Sequence, residues 1–248
     1  MGFSLYHPTL LTCKRFFNLF KNITNNTAIV CNSYGIHVKC SNKRFQIHSI
    51  LDEISFKDYS CSQEYILGVS IKQLNYICNQ YNEDASIRIL YSEQPNILII
   101  INNNCTHSIP CHNINNPEYI SRIHTLDDID YQVEFEIQAK YLYTLLKQTH
   151  KTTSKNTPQT ITIRSDVHDQ GIYLDNVCIS GHKKIDLYPF VKNLNKTYAF
   201  SYINQIIKNT LTQKISLLLF GLYKDKSMKI TSYLDDYNYI EYYIPSYT

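Results

Sequence analysis

The sequence has no tryptophan, only two methionines, six glycines and seven prolines in 248 residues. With so little glycine there is no glycine-rich loop to cradle a nucleotide phosphate, and the common mononucleotide and dinucleotide signatures are missing. No apolar run is longer than Ile97–Ile101, far short of the roughly 20 residues a membrane-crossing helix needs. The chain does not open on a basic segment backed by an apolar core, so no signal peptide is expected. Neither sign of charge prevails: 24 basic and 21 acidic residues leave a net charge of +3. Polyanion binding would therefore require the charges to be sorted onto one surface. At 44% apolar and 18% charged, the composition is that of a folded protein with one large or two smaller domains.

The eight cysteines, Cys13, Cys31, Cys40, Cys61, Cys78, Cys105, Cys111 and Cys178, are irregularly spaced. In a chain of this length without a secretion signal, reduced intracellular thiols are expected. The Asn-x-Thr sequons at Asn22, Asn25, Asn104 and Asn195 are then idle. Heavy use of Ile, Tyr, Asn and Lys points to an AT-rich genome.

Helical periodicity predicts four helices, at about 9–22, 70–81, 138–149 and 202–212. Short, alternating β-branched and aromatic segments between them predict strands. These are Thr27–Cys31, Ile36–Cys40, Phe45–Leu51, Ser86–Tyr91, Ile97–Ile101, Gln132–Ile137, Thr160–Arg164, Ile172–Leu174, Cys178–Leu187, Lys214–Phe220, Met228–Tyr233 and Tyr239–Ile244. The first and third helices are offset by about 130 residues, as are the second and fourth. Gly35-Ile36-His37-Val38 has a counterpart in Gly171-Ile172-Tyr173-Leu174. The order strand–helix–three strands–helix–three strands, occurring twice, indicates an internal duplication. The expectation is an α+β protein of two similar domains, 1–112 and 131–248, joined by a connector over 113–130. Pro117 and the Asn113–Asn116 stretch break the periodicity there.

The expected helices carry bases and no acids. Lys14 and Lys21 are seven apart with Arg15 beside them. Lys140 and Lys147 repeat that spacing, and Lys151 follows four further on. Lys208 lies on the fourth helix and Lys214 just after it. In a nearly neutral chain, such sorting marks a surface that faces phosphates. The competing reading is that lysine is common on any helix surface.

At this point the chain resembles a sliding clamp of the proliferating cell nuclear antigen type. Cys13-Lys14-Arg15-Phe16-Phe17-Asn18-Leu19-Phe20-Lys21 resembles the family's paired bases with a third seven on. Tyr34-Gly35-Ile36-His37-Val38 resembles its Ser-Gly-Val-x-Leu turn and strand. Tyr59-x-Cys61, Leu67-Gly68-Val69 and Asn82-Glu83-Asp84 resemble Tyr-x-Cys, Met-Gly-Val and Asn-Glu-Asp. Tyr202-Ile203-Asn204 with Lys208, and Tyr242-Tyr243-Ile244, resemble two motifs of the family's second half. Each motif is short, but they are collinear over nearly the whole chain.

The resemblance implies a homotrimeric ring lined by helices, with no cofactor and no catalysis, that encircles duplex DNA and tethers DNA polymerase and other replication and repair proteins. A clamp loader would place it. The work site would be nuclear, or cytoplasmic for a viral clamp. DNA-facing residues would be Lys14, Arg15, Lys21, Lys72, Lys140, Lys147, Lys208 and Lys214. Subunit edges would be Cys105–Cys111, with Cys105, His107, Ile109 and Cys111, and Cys178–Lys184, with Cys178, Ile179, Gly181 and Lys183. Partner peptides would dock at Ser41, Phe45, Leu126, Ile129, Tyr131, Ile244 and Pro245. Tyr76 and Asn79 depart from the family, which has bases at the matching positions of the second helix, and Phe45 stands where a loop histidine is usual. One other reading keeps the fold without the ring, as a monomeric processivity factor that holds DNA without encircling it; another is a clamp-like transcription or checkpoint scaffold with no polymerase role.

Cys105, His107, Cys111 and His112 could supply zinc ligands, but their spacing fits no standard knuckle, and buried or edge thiols are the preferred reading. The histidines have no nucleophile nearby in sequence, and the carboxylates show no pairing on a fixed helix face. No catalytic constellation is expected, and a Cys/His metalloenzyme is only a remote alternative.

Overall fold

A computed structural model describes residues 2–20, 23–41, 46–102, 105–113, 131–149, 160–166, 168, 171–175, 177–179, 185–187, 193–223 and 227–246. The chain divides into two compact units. The first takes Met1–Cys40, Ile47–Thr125 and Leu234–Ile240; the second takes Ser41–Gln46, Leu126–Tyr233 and Glu241–Thr248. From residue 114 onward, the expected connector lies outside the described residues.

In the first unit, β1 (Phe3–His7) leads into α1 (Leu11–Leu19). Five strands follow: β2 (Asn26–Asn32), β3 (Gly35–Ser41), β4 (Gln46–Asp52), β5 (Asp58–Cys61) and β6 (Tyr65–Ser70). Then come α2 (Ile71–Asn79), β7 (Ile87–Ser92), β8 (Ile97–Asn102), β9 (Cys105–Pro110) and the short β10 (His112–Asn113). One sheet runs β5-β1-β7-β8-β9, and a second run of strands is β10-β6-β2-β3-β4. Alternate side chains of β1, β6 and β8 are buried, as expected of strands covered on one face.

The second unit has β11 (Tyr131–Gln138), α3 (Ala139–Thr149), β12 (Thr160–Asp166), β13 (Gly171–Leu174), β14 (Val177–Cys178), β15 (Ile185–Leu187), β16 (Leu194–Ala199), α4 (Phe200–Thr212), β17 (Leu217–Tyr223), β18 (Ser227–Tyr233) and β19 (Tyr239–Pro245). Its strands run β19-β18-β17-β11-β15 and β14-β13-β12-β16.

The pairings repeat. β1 pairs antiparallel with β5 and β7, as β11 does with β15 and β17. β2 pairs with β3 and β6, as β12 does with β13 and β16. The helices begin at residues 11 and 139, and at 71 and 200, so both offsets are about 130. Among the described residues there are five strands between the helices of each unit, not the expected three. Of the added strands, β6 alternates cleanly, but two others carry little period. β5 is polar and largely exposed, and β16 buries only its ends. The expected strand Cys178–Leu187 is two short strands, β14 and β15, in different sheets. Lys214–Ser216 closes α4 before β17 begins.

Each helix buries one stripe against its own unit: Cys13, Phe16, Phe17 and Leu19 on α1, and Ile71, Leu74, Ile77 and Cys78 on α2. On α3 the stripe is Leu142, Leu145 and Leu146, and on α4 it is Ile203, Ile206 and Ile207. Ser70 caps α2 by accepting from the Gln73 amide at 3.3 Å. α1 has no capping side chain. Instead the Leu10 and Leu11 amides donate to the Glu83 carbonyl, at 2.9 and 3.1 Å. α4 ends with Lys214 in the left-handed region (φ 59°). Its amide donates to Leu211 O at 3.0 Å and that of Ile215 to Thr210 O at 3.2 Å, the two bonds of a Schellman motif.

Gly35 has φ +125°, and a Cβ there would lie 2.2 Å from Leu51 O, so only glycine fits this turn. Next to it, the Tyr59 hydroxyl lies within 2.7 and 2.8 Å of the Asn32 and Gly35 carbonyls and pins the β2–β3 hairpin.

Candidate nucleic-acid interface

None of the four helices among the described residues contains an aspartate or glutamate, and together they carry Lys14, Arg15, Lys72, Lys140, Lys147 and Lys208. All six side chains lie off the buried stripes. Lys72, Lys140, Lys147 and Lys208 are exposed, and Lys14 and Arg15 half-exposed. None of the six is ion-paired among the described residues. Lys140 and Lys147 are two turns apart on one face, a spacing of about 10 Å along the axis. The Lys147 ammonium sits 4.3 Å from the centre of the Tyr143 ring, a cation–π contact that leaves the charge at the surface.

On the first unit, α1 and α2 lie side by side. Asn79 Nδ2 donates to Asn18 Oδ1 at 3.1 Å, and Lys14 Nζ donates to the Tyr81 carbonyl at 3.2 Å. Lys14 and Arg15 therefore share a surface with the outward residues of α2, Lys72, Gln73, Tyr76 and Asn79. The acid-free stretch of α1 is shorter than expected. The helix ends at Leu19, and Lys21 lies outside the described residues. Lys214 is exposed, past the end of α4.

β9 and β14 each end a sheet among the described residues. Their outward groups are not the ones the sequence singles out. Cys111 donates its amide to Asn96 O at 3.0 Å, and the β8–β9 register carries this alternation down the strand. The amides of Cys105, His107, Ile109 and Cys111 thus point to the β8 side, and those of Thr106 and Ser108 point outward. Pro110, which has no amide proton, falls at an outward position, where an edge strand tolerates it. Ile179 is fully buried and donates inward to Ile172 O at 2.7 Å. Ile109 and Cys111 are buried, while Cys105 and Cys178 are exposed. Gly181 and Lys183 lie outside the described residues.

Of the docking positions, Phe45, Leu126 and Ile129 lie outside the described residues, and of Ser41 and Tyr131 only the backbone is described. Pro245 is exposed. Ile244 is fully buried in β19, so it is a core side chain and not an open anchor.

The eight cysteines form no disulfide. Burial pushes the Cys78 thiol up to about 12 despite the opposing pull of Lys14, and burial pushes Cys111 up to about 11. These thiols are poor thiolate sources. His107 Nε2 meets the Tyr81 hydroxyl, and the Cys111 thiol lies 3.6 Å from Ile109 O. Among the described residues, no three His, Cys, Asp or Glu side chains are grouped as a metal site.

Residues 5–115 match the family model of the proliferating cell nuclear antigen N-terminal domain. No curated protein matches the chain. Residues 116–248 lie outside the family match; the second unit repeats the strand pairing of the first. Among the described residues each unit has two helices and antiparallel sheet, and over residues 5–115 the chain is a member of the proliferating cell nuclear antigen N-terminal domain family, a family of sliding clamps.

Proposed function

We propose that the protein is a DNA polymerase processivity factor that closes into a homotrimeric ring around duplex DNA. The observation that carries this reading is the charge sorting: four helices without an acid, each with its bases off the buried stripe, in a chain of net charge +3. Contacts from such faces reach phosphates and carry no base information, so the ring slides. Its action is tethering by effective concentration, without catalysis. Ring closure would join the β9 edge of one subunit to the β14 edge of the next, a head-to-tail contact that closes. Replication and repair proteins would dock short hydrophobic peptides at the connector, through Leu126 and Ile129 with Tyr131, Ser41, Phe45 and Pro245. The working place is where DNA is replicated, in the nucleus or at a cytoplasmic viral site.

The test combines native mass by light scattering with polymerase extension on primed circular DNA, with and without a loader. A trimer that lengthens products is expected. A monomer that does not change product length overturns the proposal.

A further inference from the structure

Three large side chains stand out from tight turns of the first unit. Tyr34 is 71% exposed in the β2–β3 hairpin, Ile54 is 63% exposed in the 3-10 turn Glu53–Ser55, and Tyr237 is 52% exposed in the turn between β18 and β19. Tight turns usually carry small polar residues, so three bulky ones facing water call for a physical account.

The three turns are tied together. Glu53 donates its amide to Tyr34 O at 3.1 Å. Asn238, itself fully buried, accepts from the Asp52 amide at 2.9 Å and donates to Ser55 Oγ at 2.7 Å and to the Asp235 carboxylate at 2.7 and 2.8 Å. The Tyr237 amide donates to Asp235 Oδ1 at 3.1 Å, and the Ile54 amide to Asp52 Oδ1 at 2.9 Å. The backbone under the apolar side chains is therefore already ordered, and a ligand would not have to order it. The surface is also acidic. Glu53, Asp235 and Asp236 are exposed on the same turns, with Lys57 the neighbouring base.

We propose that Tyr34, Ile54 and Tyr237 form a docking surface for a basic peptide segment of a partner protein, seated by an aliphatic or aromatic anchor among the three side chains and held by Glu53, Asp235 and Asp236. The surface lies at the Asp52 end of β4, seven strand residues or about 20 Å from the Gln46 end. It stands independently of the clamp reading.

The probe is a fluorescein-labelled synthetic peptide of lysines around one phenylalanine and one leucine. It is compared with a version whose lysines are glutamates and one whose apolar residues are serines. Only the first should bind the full chain, with amide-exchange protection confined to residues 33–34, 53–55 and 235–237. The triple variant Tyr34→Ser, Ile54→Ser, Tyr237→Ser should weaken binding at least ~10-fold, as loss of central anchors does. Glu53→Lys with Asp236→Lys should do the same by reversing the charge. If the triple variant unfolds, Ile54→Ser alone carries the test, with a loss of roughly 5-fold or more expected. The proposal is overturned by unchanged affinity in these variants, by protection elsewhere, or by equal binding of the serine version. It is equally overturned if light scattering shows self-association that the triple variant removes, which would make the occupant a second copy.

Discussion

The Lys14 ammonium donates to the main-chain carbonyl of Tyr81 at 3.2 Å and ties α1 to the segment that follows α2. Lys14 is thus a structural residue as well as a candidate phosphate ligand, unlike Lys140 and Lys147, which are exposed on α3. The double variant Lys140→Ala, Lys147→Ala should lower the slope of log affinity against log salt by about 2 on duplex DNA, alike for all sequences. Its stability should stay within about 0.5 kcal/mol of wild type. Lys14→Ala should lower the slope by about 1 and also destabilise by about 1 kcal/mol, because the Tyr81 carbonyl loses its donor. Binding across a salt series with parallel denaturation checks both; a wild-type slope in the double variant would remove α3 from the DNA face.

Ring closure is best probed from β9. Ser108→Pro removes an outward amide and should spare the β8–β9 ladder, as Pro110 does two residues on. Folded monomers are expected by light scattering. Ile179→Pro is a poorer probe, because its amide serves the bond to Ile172 and its loss disturbs the unit itself. A Ser108→Pro protein that keeps the wild-type mass would rule out main-chain pairing at this edge.

His37 and His48 stack across neighbouring strands, 6.1 Å between ring centres and 11° between planes. Burial first, then His48 and Lys39, push the His37 imidazole down to about 4, with Asp52 pulling the other way. The unfolded chain therefore takes up this proton first, near the ordinary value of 6.5. Stability should be level above that pH and fall as the pH drops towards 4, by roughly 2–3 kcal/mol in all. His7, lowered mainly by burial, adds in the same direction. Urea unfolding between pH 7.5 and 4.5 should show the decline and His37→Gln should flatten it; equal pH dependence in the two proteins would assign it to other groups.

Gly35→Ala should destabilise by at least about 2 kcal/mol, since both its φ and its contact with Leu51 O exclude a Cβ. Lys214→Gly should do the opposite. It relieves a left-handed lysine and should leave stability unchanged or raise it by up to about 1 kcal/mol, while taking one charge from the end of α4. Thermal unfolding of the two variants compares the sites directly, and a stable Gly35→Ala protein would mean the turn can rearrange.

Much of this architecture is legible in the residues. The helix stripes, such as Leu142 with Leu145 and Leu146, have the spacing that burial demands, and all four helices fall where periodicity puts them. The repeat is visible because Gly35 and Gly171 each open a strand. What eludes sequence reading depends on partners distant in the chain. β5 is polar and held by its pairing with β1. The start of α1 has no capping side chain because Glu83 supplies the acceptor. Which amides of β9 face outward depends on the register with β8, and the sequence highlights the cysteines and His107 instead of Thr106 and Ser108. The exposure of Tyr34, Ile54 and Tyr237 depends on turns brought together through Asn238, about 200 residues from Tyr34.

The cap that α1 takes from Glu83 also sets an order on biosynthesis. The first twenty residues leave the ribosome with Phe16, Phe17, Leu19 and Phe20 exposed, and β1 must wait for residues 58–61 and 87–91 before it pairs. The Leu10 and Leu11 amides at the start of α1 lack this protein acceptor until residue 83 has emerged, more than sixty residues after the helix's own last turn. Isolated helices of nine residues are unstable in water. Nascent chains halted before residue 83 should therefore lack helix at 11–19 and be captured by chaperones through that aromatic cluster, and chains released beyond residue 110 should not. Amide exchange on stalled chains of the two lengths would reveal the step.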